Sequence, residues 1–325
     1  MIKIIKNNLL RINAEKNYIV TVLVVTVLTI LLAVYFTAKF QVKGNIAFVT
    51  NSNELNINTK YLNINKMTTA PKLSELAMGK YDAIVTDKGE GKFQVVTYKG
   101  DDFKKYVEVM LKTKGKANIS FGDTRKVGTN ILGYLTMFIL IEGTIFMKFF
   151  SDDKNNGSLK RTLISPISMK SYLMAHCIFN FFMMYVPTFL VIVIEKQLFK
   201  VDIGFSYFEY SYLLAILVFL STAFGFFMST VIENTDDSAM MSNLIVMLTS
   251  ILGGSFYSFT NKNRFLDKII NLIPQKQYIN LVQGIENKNT ILNYCGELSY
   301  ILVLSMTLFV IGIGICYKRY SEGKY

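Results

Sequence analysis

The sequence predicts an α-helical integral membrane protein. It would have six transmembrane helices, an N-terminal interfacial helix, and a small α/β extracytoplasmic domain between helices one and two. Three observations carry this reading. Of 325 residues, 51% are hydrophobic and only 18% are charged, against about 25% charged in a soluble domain. The shortage of charge is concentrated in long apolar runs, with a mean hydropathy of +0.34 overall. Six runs have the roughly 20 residues that cross a hydrocarbon core of about 30 Å at 1.5 Å per residue. A disordered chain is excluded, and an ordinary soluble enzyme does not fit.

The elements follow in order. In residues 1–17, Ile2, Ile5, Leu9 and Ile12 share one helical face, with Lys3, Lys6 and Arg11 available to headgroups. That pattern suits a helix lying in the inner interface; a frayed tail is the plainer alternative. Residues 18–38 carry no charge and form the first span. A signal peptide would have a shorter apolar region, about 7–15 residues, and a small-residue cleavage site. Here the run ends in Tyr35-Phe36-Thr37-Ala38-Lys39, so a retained anchor is expected.

Residues 39–129 read as the α/β domain. Segments 44–50, 81–87 and 92–98 look like strands, the last two joined across Lys88-Gly89-Glu90-Gly91. Segments 71–80 and 101–116 read as helices, the second with Asp101 and Asp102 at its start. No histidine lies here and no carboxylate pair has catalytic spacing. The residues define a domain here, not a site.

The remaining spans are 130–150, 172–194, 211–232, 239–259 and 298–317, with 260–297 as an external, partly re-entrant segment. Gly133, Gly143, Gly225, Gly253, Gly254, Gly312 and Gly314 fall inside them. They mark either close helix contacts or the general abundance of glycine in membrane helices. With the N-terminus inside, the inner segments 1–17, 148–171, 233–238 and 318–325 hold twelve Lys and Arg, against seven in the short outer loops. The positive-inside rule then puts both termini in the cytoplasm and residues 40–128 outside the cell membrane.

The net charge of +12 raises the question of nucleic acid. Residues 40–128 account for half of it, and the rest lies beside apolar segments. The 25 Phe and 19 Tyr sit mostly inside apolar runs rather than on a basic polar surface. Membrane lipid is the expected partner for this charge, not nucleic acid. Cys177, Cys295 and Cys316 lie far apart and offer neither a disulfide framework nor zinc spacing.

No catalytic motif is present. The Gly-Lys pairs precede Tyr81, Phe93, Ala117 and Tyr325, never Ser or Thr, so there is no phosphate loop. There is no H-E-x-x-H and no G-x-S-x-G. One histidine cannot build a multi-histidine metal site. The chain is not expected to be an enzyme or to hold a cofactor. Energy for active transport would come from an ion gradient or from a separate ATPase.

Segment 151–171 bears on that choice. Polar residues Ser151 to Asn156 precede Gly157-Ser158-Leu159, then an amphipathic stretch through Leu163, then Pro166-Ile167-Ser168 and Tyr172-Leu173. Such a stretch forms a short helix along the membrane surface, stopped by Pro166. Leu159 and Leu163, four residues apart, would share the face that fills a groove on a partner. This segment resembles the acidic-x-x-G-T-L…L…P-v/i-s…y-L…K signature of the ATP-binding-cassette type-2 permease family. The matching positions are Gly157, Ser158, Leu159, Leu163, Pro166, Ser168, Tyr172 and Leu173. Asn155 replaces a usual acidic residue, Ser158 a Thr, and His176 a Lys.

The likeness extends over the chain. Gly253, Gly254 and Phe256 resemble the family's glycine pair near the outer end of span five. Pro274 with Tyr278 resembles its re-entrant segment before span six. The resemblance implies the type V exporter fold and a coupling helix at Gly157–Ser168 that docks on a separate ABC ATPase subunit, where ATP is bound. It also implies a second permease subunit, identical or different, and outward transport of a hydrophobic or amphipathic cargo (antimicrobial peptide, drug or lipid-like). A membrane-anchored receptor with 40–128 as its ligand-binding head, or an ion-coupled carrier, are the competing functions. Neither accounts for the Gly157–Ser168 loop.

Glu142 is the deepest charge, in span two. An ionisable group there faces the bundle interior or a wet cavity, because lipid exposure is costly. Glu142 lies six residues from Lys148, and His176 six from Lys170 on the next span. Equal depth makes them an expected pair. A structural polar anchor with no part in transport is the alternative.

Overall fold

The computed structural model describes residues 1–14, 20, 24–33, 45–50, 63–87, 93–97, 101–112, 126–199, 204–256, 264–287 and 290–323. The chain divides into two units: residues 35–124, and residues 1–34 together with 125–325.

The smaller unit is built on a four-stranded sheet. Strands β1 (Asn45–Val49), β2 (Asn63–Met67), β3 (Ala83–Asp87) and β4 (Phe93–Val96) lie in the order β2-β1-β3-β4. β1 runs parallel to both β2 and β3, and β4 is antiparallel to β3. Alternation along the strands separates two apolar faces. Ile46, Phe48, Val85 and Val95 pack with Val107, Met110 and Leu111 of the helix Asp101–Lys112 (α4). Ala47, Tyr81 and Ile84 pack with Leu76 of the short helix Leu73–Ala77 (α3). Strands one, three and four match the sequence expectation. β2, Asn-Ile-Asn-Lys-Met, does not appear in it: this edge strand is mostly exposed and polar, and backbone pairing to β1 holds it.

The larger unit is helical. It contains α1 (Ile2–Ala14), α2 (Val24–Ala33), α5 (Val127–Phe146), α6 (Lys148–Asn155), α7 (Ser158–Ile164), α8 (Met169–Phe199) and α9 (Tyr207–Val231). It continues with α10 (Thr235–Leu252), α11 (Arg264–Asn271), α12 (Pro274–Glu286), a 3₁₀ turn (Ile291–Tyr294) and α13 (Cys295–Ser321). Four helical stretches are long and apolar enough to cross a membrane: Val127–Asn155, Met169–Gln197, Tyr207–Val231 and Ile291–Ser321. They coincide with the expected spans two, three, four and six. The expected first span, 18–38, overlaps α2; its remaining residues, Val20 apart, lie outside the described residues.

The expected fifth span, 239–259, overlaps α10, which is not among these four. α10 begins at Thr235 behind an Asn234 cap, carries Asp236 and Asp237 in its first turn, and stops at Gly253-Gly254. Carboxylates suit a helix N-terminus, where unpaired N–H groups concentrate positive potential. The run of small and apolar residues through 259 had hidden that stop.

α9 sits at the centre, packed against α5, α8, α10 and α13. It starts with a reciprocal cap, in which Ser206 Oγ accepts from the Glu209 N–H and Glu209 accepts from the Ser206 N–H. Its contact with α5 is backbone-close. A Cβ on Gly225 would strike the Gly143 carbonyl, and one on Gly143 would strike Ser221. Asn180 on α8 donates to the Gly143 carbonyl at 2.8 Å, so three helices meet there. Gly143 and Gly225, and Gly312 of α13 against Phe226 of α9, therefore mark helix–helix contacts.

Candidate functional site

The expected coupling segment folds as a helix–turn–helix. α5 breaks at Met147, α6 continues to Asn155, and Gly157 turns the chain with φ of +66°. Nothing lies near a Cβ at Gly157, so backbone conformation alone selects glycine there. α7 then ends at Ser165, which is extended before Pro166, as a residue preceding proline prefers. Ser168 Oγ accepts from the Ser171 N–H and opens α8.

The side chains of α7 overturn one expectation. Leu159 is fully buried, in a cluster with Met147, Phe150, Met169, Tyr172 and Leu173, and Leu163 packs against the same cluster. The apolar face that the spacing assigned to a partner closes on the chain's own core, because α7 must cover the helix ends beneath it. The exposed surface is instead Lys160, Arg161, Ile164, Ser165, Pro166, Ser168 and Lys170, with Ile164 80% exposed.

Asp153 is the hub of this region. It pairs with Arg11 of α1 at 2.8 Å, accepts from the Tyr172 hydroxyl at 2.6 Å, and lies 3.7 Å from His176 Nε2. His176 Nδ1 meets the Asn8 side-chain amide at 3.1 Å, and Arg11 also lies over the Phe149 ring. Two further expectations change here. His176 is partnered by α1 and α6, and no hydrogen bond or ion pair joins it to Glu142 among the described residues. Equal depth says nothing about which way each residue points around its helix. Arg11 turns inward rather than to headgroups, and the buried face of α1 is Ile4, Asn8 and Ile12, leaving Ile2 and Leu9 exposed. Glu142 itself is buried within α5, and its Oε2 has no hydrogen-bond partner.

One residue along, Lys154 is buried and donates to the Ser229 and Ile232 carbonyls at 2.7 and 2.8 Å. Arg319 of α13 donates to the Thr230 and Val231 carbonyls at 2.7 and 2.9 Å. Two cations thus satisfy four consecutive carbonyls at the C-terminal end of α9, where such groups lack helical partners. Asp152 accepts from Thr235 at the start of α10 at 3.1 Å. The three residues before Asn155–Gly157, Asp152, Asp153 and Lys154, are therefore fasteners to α1, α8, α9 and α10.

At the opposite end of α5 the structure gathers the second set of expected positions. Gly253, at the end of α10, lies against Ile273 and Gln275, beside Pro274 at the first position of α12. Gln275 donates to Thr249 at 2.6 Å, and buried Tyr278 donates to the Leu213 carbonyl on α9 at 3.1 Å. Phe256 stacks on Tyr134 of α5 with ring centroids 5.5 Å apart. Gly254 adds a turn with φ of +78°.

Glu286 completes this end and was missed in the sequence. Its carboxylate accepts from the Gly128 and Thr129 N–H groups at 2.7 and 2.8 Å and from the Thr129 hydroxyl at 2.5 Å. Lys126 donates to the Glu286 carbonyl at 2.9 Å. Glu286 thus caps the start of α5 from the end of α12. Burial pushes its carboxyl above the usual range, against the downward pull of these donors. Local sequence around Glu286 carries no capping signature, since its partners are about 160 positions away.

No group of three or more His, Cys, Asp or Glu that could hold a metal occurs among the described residues. Apolar spanning helices around α9, joined by a folded surface loop, define a multi-pass membrane protein of the permease class. The ABC-2 type transporter family model matches residues 109–287, more than half of the chain. The chain belongs to that family, whose domain is a membrane component of the transporter. Permeases of this family generally work with an ABC ATPase subunit. Comparison with curated proteins and with solved structures gave no match.

Proposed function

We propose that this chain is the permease subunit of an ATP-driven bacterial exporter, in which a separate ATPase docks on α7 and drives outward movement of a hydrophobic or amphipathic cargo. One observation carries the reading. α6 and α7 form an element whose base, Asp152, Asp153 and Lys154, is fastened to four other helices or their ends. A push on α7 is therefore shared by α1, α8, α9 and α10, as coupling without a nucleotide site in this chain requires. The docking surface is Ile164 and Pro166 within a cationic rim of Lys160, Arg161 and Lys170, which suits an apolar pocket edged by carboxylates. A second permease subunit would complete the path. α10 supports this: it buries Ser238, Ser242 and Ser250 and exposes Met240, Leu244, Met247, Leu248 and Ile251. The end holding Gly253, Gly254, Phe256, Pro274 and Tyr278 would then be the outer gate, and the unit of residues 35–124 an external domain.

Docking is tested at Ile164. Ile164→Asp should weaken binding of the co-purifying ATPase by roughly ten- to a hundredfold, the effect of losing one interface anchor. Folding should be unchanged, because the side chain touches solvent. Leu159→Asp should instead destabilise the permease itself. An Ile164→Asp protein that retains a stoichiometric, transport-competent ATPase complex defeats the docking assignment.

Orientation is tested by single cysteines at Asn156 and Met78, on a background without the three native cysteines. In intact cells an impermeant thiol reagent should label position 78 and spare 156 until the membrane is opened. Labelling at 156 from outside reverses the topology and removes the docking site with it.

A further inference from the structure

We propose that α1 is a lipid-responsive latch: its outer face binds anionic lipid headgroups, and the Arg11–Asp153 pair passes that occupancy to the coupling segment. The bearing on transport rests on the function proposed above; the binding and its relay do not.

The case begins with the two faces of α1. At 3.6 residues per turn, Ile4, Asn8, Arg11 and Ile12 lie on one side, seated on α6 and α8. Ile2, Lys3, Lys6, Leu9 and Leu10 lie on the other, all exposed, with Ile2 at 79% and Leu10 at 61%. Apolar side chains and lysines alternate on this outer face, and α1 contains no Asp or Glu. An acidic protein groove would leave Ile2, Leu9 and Leu10 partly wet. A membrane interface takes both kinds of side chain at once, the apolar ones at the acyl boundary and the ammonium groups at phosphates. In the sequence, the uncharged apolar run 18–38 begins four positions after Ala14, which places α1 close to a bilayer surface. Each lysine should favour an anionic surface by about fivefold, so the pair by roughly 25-fold.

The inner face supplies the relay. Asp153 is held by Arg11 from α1 and by Tyr172 from α8, and it stands four residues before Gly157. Lifting α1 removes the Arg11 guanidinium and the Asn8 contact to His176 together. α6 then keeps its fastenings to α8, α9 and α10 but loses the one to α1, and Asp153 loses its cationic partner. An α1 held down by headgroups keeps the coupling segment in the geometry observed.

Hydrogen exchange on the full chain tests this without an ATPase. The protein is placed in discs of phosphatidylcholine alone, or of phosphatidylcholine with phosphatidylglycerol in a three-to-one ratio. The anionic discs should slow exchange severalfold in both α1 and α7. Lys3→Gln with Lys6→Gln, both at exposed positions, should abolish the difference in both helices. Arg11→Gln should keep the slowing in α1 and lose it in α7. Equal exchange in the two lipids, or slowing in α1 that never reaches α7 in the unsubstituted protein, overturns the proposal. So does protection reproduced by inorganic phosphate in phosphatidylcholine discs, which would make any phosphate, not lipid, the ligand. A failed Ile164→Asp docking test would leave these outcomes intact, so the two proposals fail separately.

Discussion

Valine at Gly225 should leave little folded protein after extraction into mild detergent. The added Cβ meets the carbonyl and the next amide of α5 at Gly143–Thr144, atoms that cannot rotate away as a side-chain tip would. Overpacking of a close-packed interior costs about 1–3 kcal/mol, and more where backbone must move. Roughly 3 kcal/mol or more is expected here, because α9 is the helix against which α5, α8, α10 and α13 all pack. Gly143→Val should behave alike, since its Cβ meets Ser221 side chain and backbone. Gly314→Ala is the control, with nothing near its Cβ. The readout is the fraction surviving heating on size-exclusion chromatography. A Gly225→Val protein as heat-resistant as the Gly314→Ala control would show that the α5–α9 contact does not hold the bundle.

Glu286→Ala should lower the melting temperature nearly as much, for an electrostatic reason. The carboxylate receives two backbone N–H groups and one hydroxyl at the buried start of α5. Alanine leaves those donors facing a void, where no helical carbonyl exists to take them. A hydrogen bond to a charged group contributes about 1.5–3 kcal/mol, and the shared penalty should be about 3 kcal/mol. Glu286→Gln keeps an accepting oxygen and should lose roughly half as much. Equal melting of the unsubstituted, Gln and Ala forms would mean that water replaces the carboxylate at no cost. Because Gly128 and Thr129 begin the helix that follows the smaller unit, the same substitution should loosen the joint between α12 and α5.

Much of this architecture was legible from residue order alone. A span must be about 20 apolar residues long whatever its neighbours are, so the runs at 130–150, 172–194, 211–232 and 298–317 are visible without any packing information. Gly157 and Pro166 mark their turn through their own backbone limits, again independent of context. Strands β1, β3 and β4 show in their β-branched and apolar alternation, whereas the edge strand β2 is polar and exists only because β1 offers it a partner.

What the sequence determined is the class of protein, its four long apolar helices, and where the chain turns between the first two of them. Those follow from hydrophobicity and local backbone preference, which each short segment carries within itself. Only the tertiary structure decided which side of each short helix is inside. It turned Leu159 into the core and Ile164 outward, sent Arg11 to Asp153, gave His176 to Asn8 instead of Glu142, and set Glu286 on the first turn of α5. Helical spacing shows which residues share a face but not which way that face points. For Arg11, His176 and Glu286 that direction is chosen by partners 142 to 168 positions away in the chain, and it takes the assembled bundle to bring them within reach.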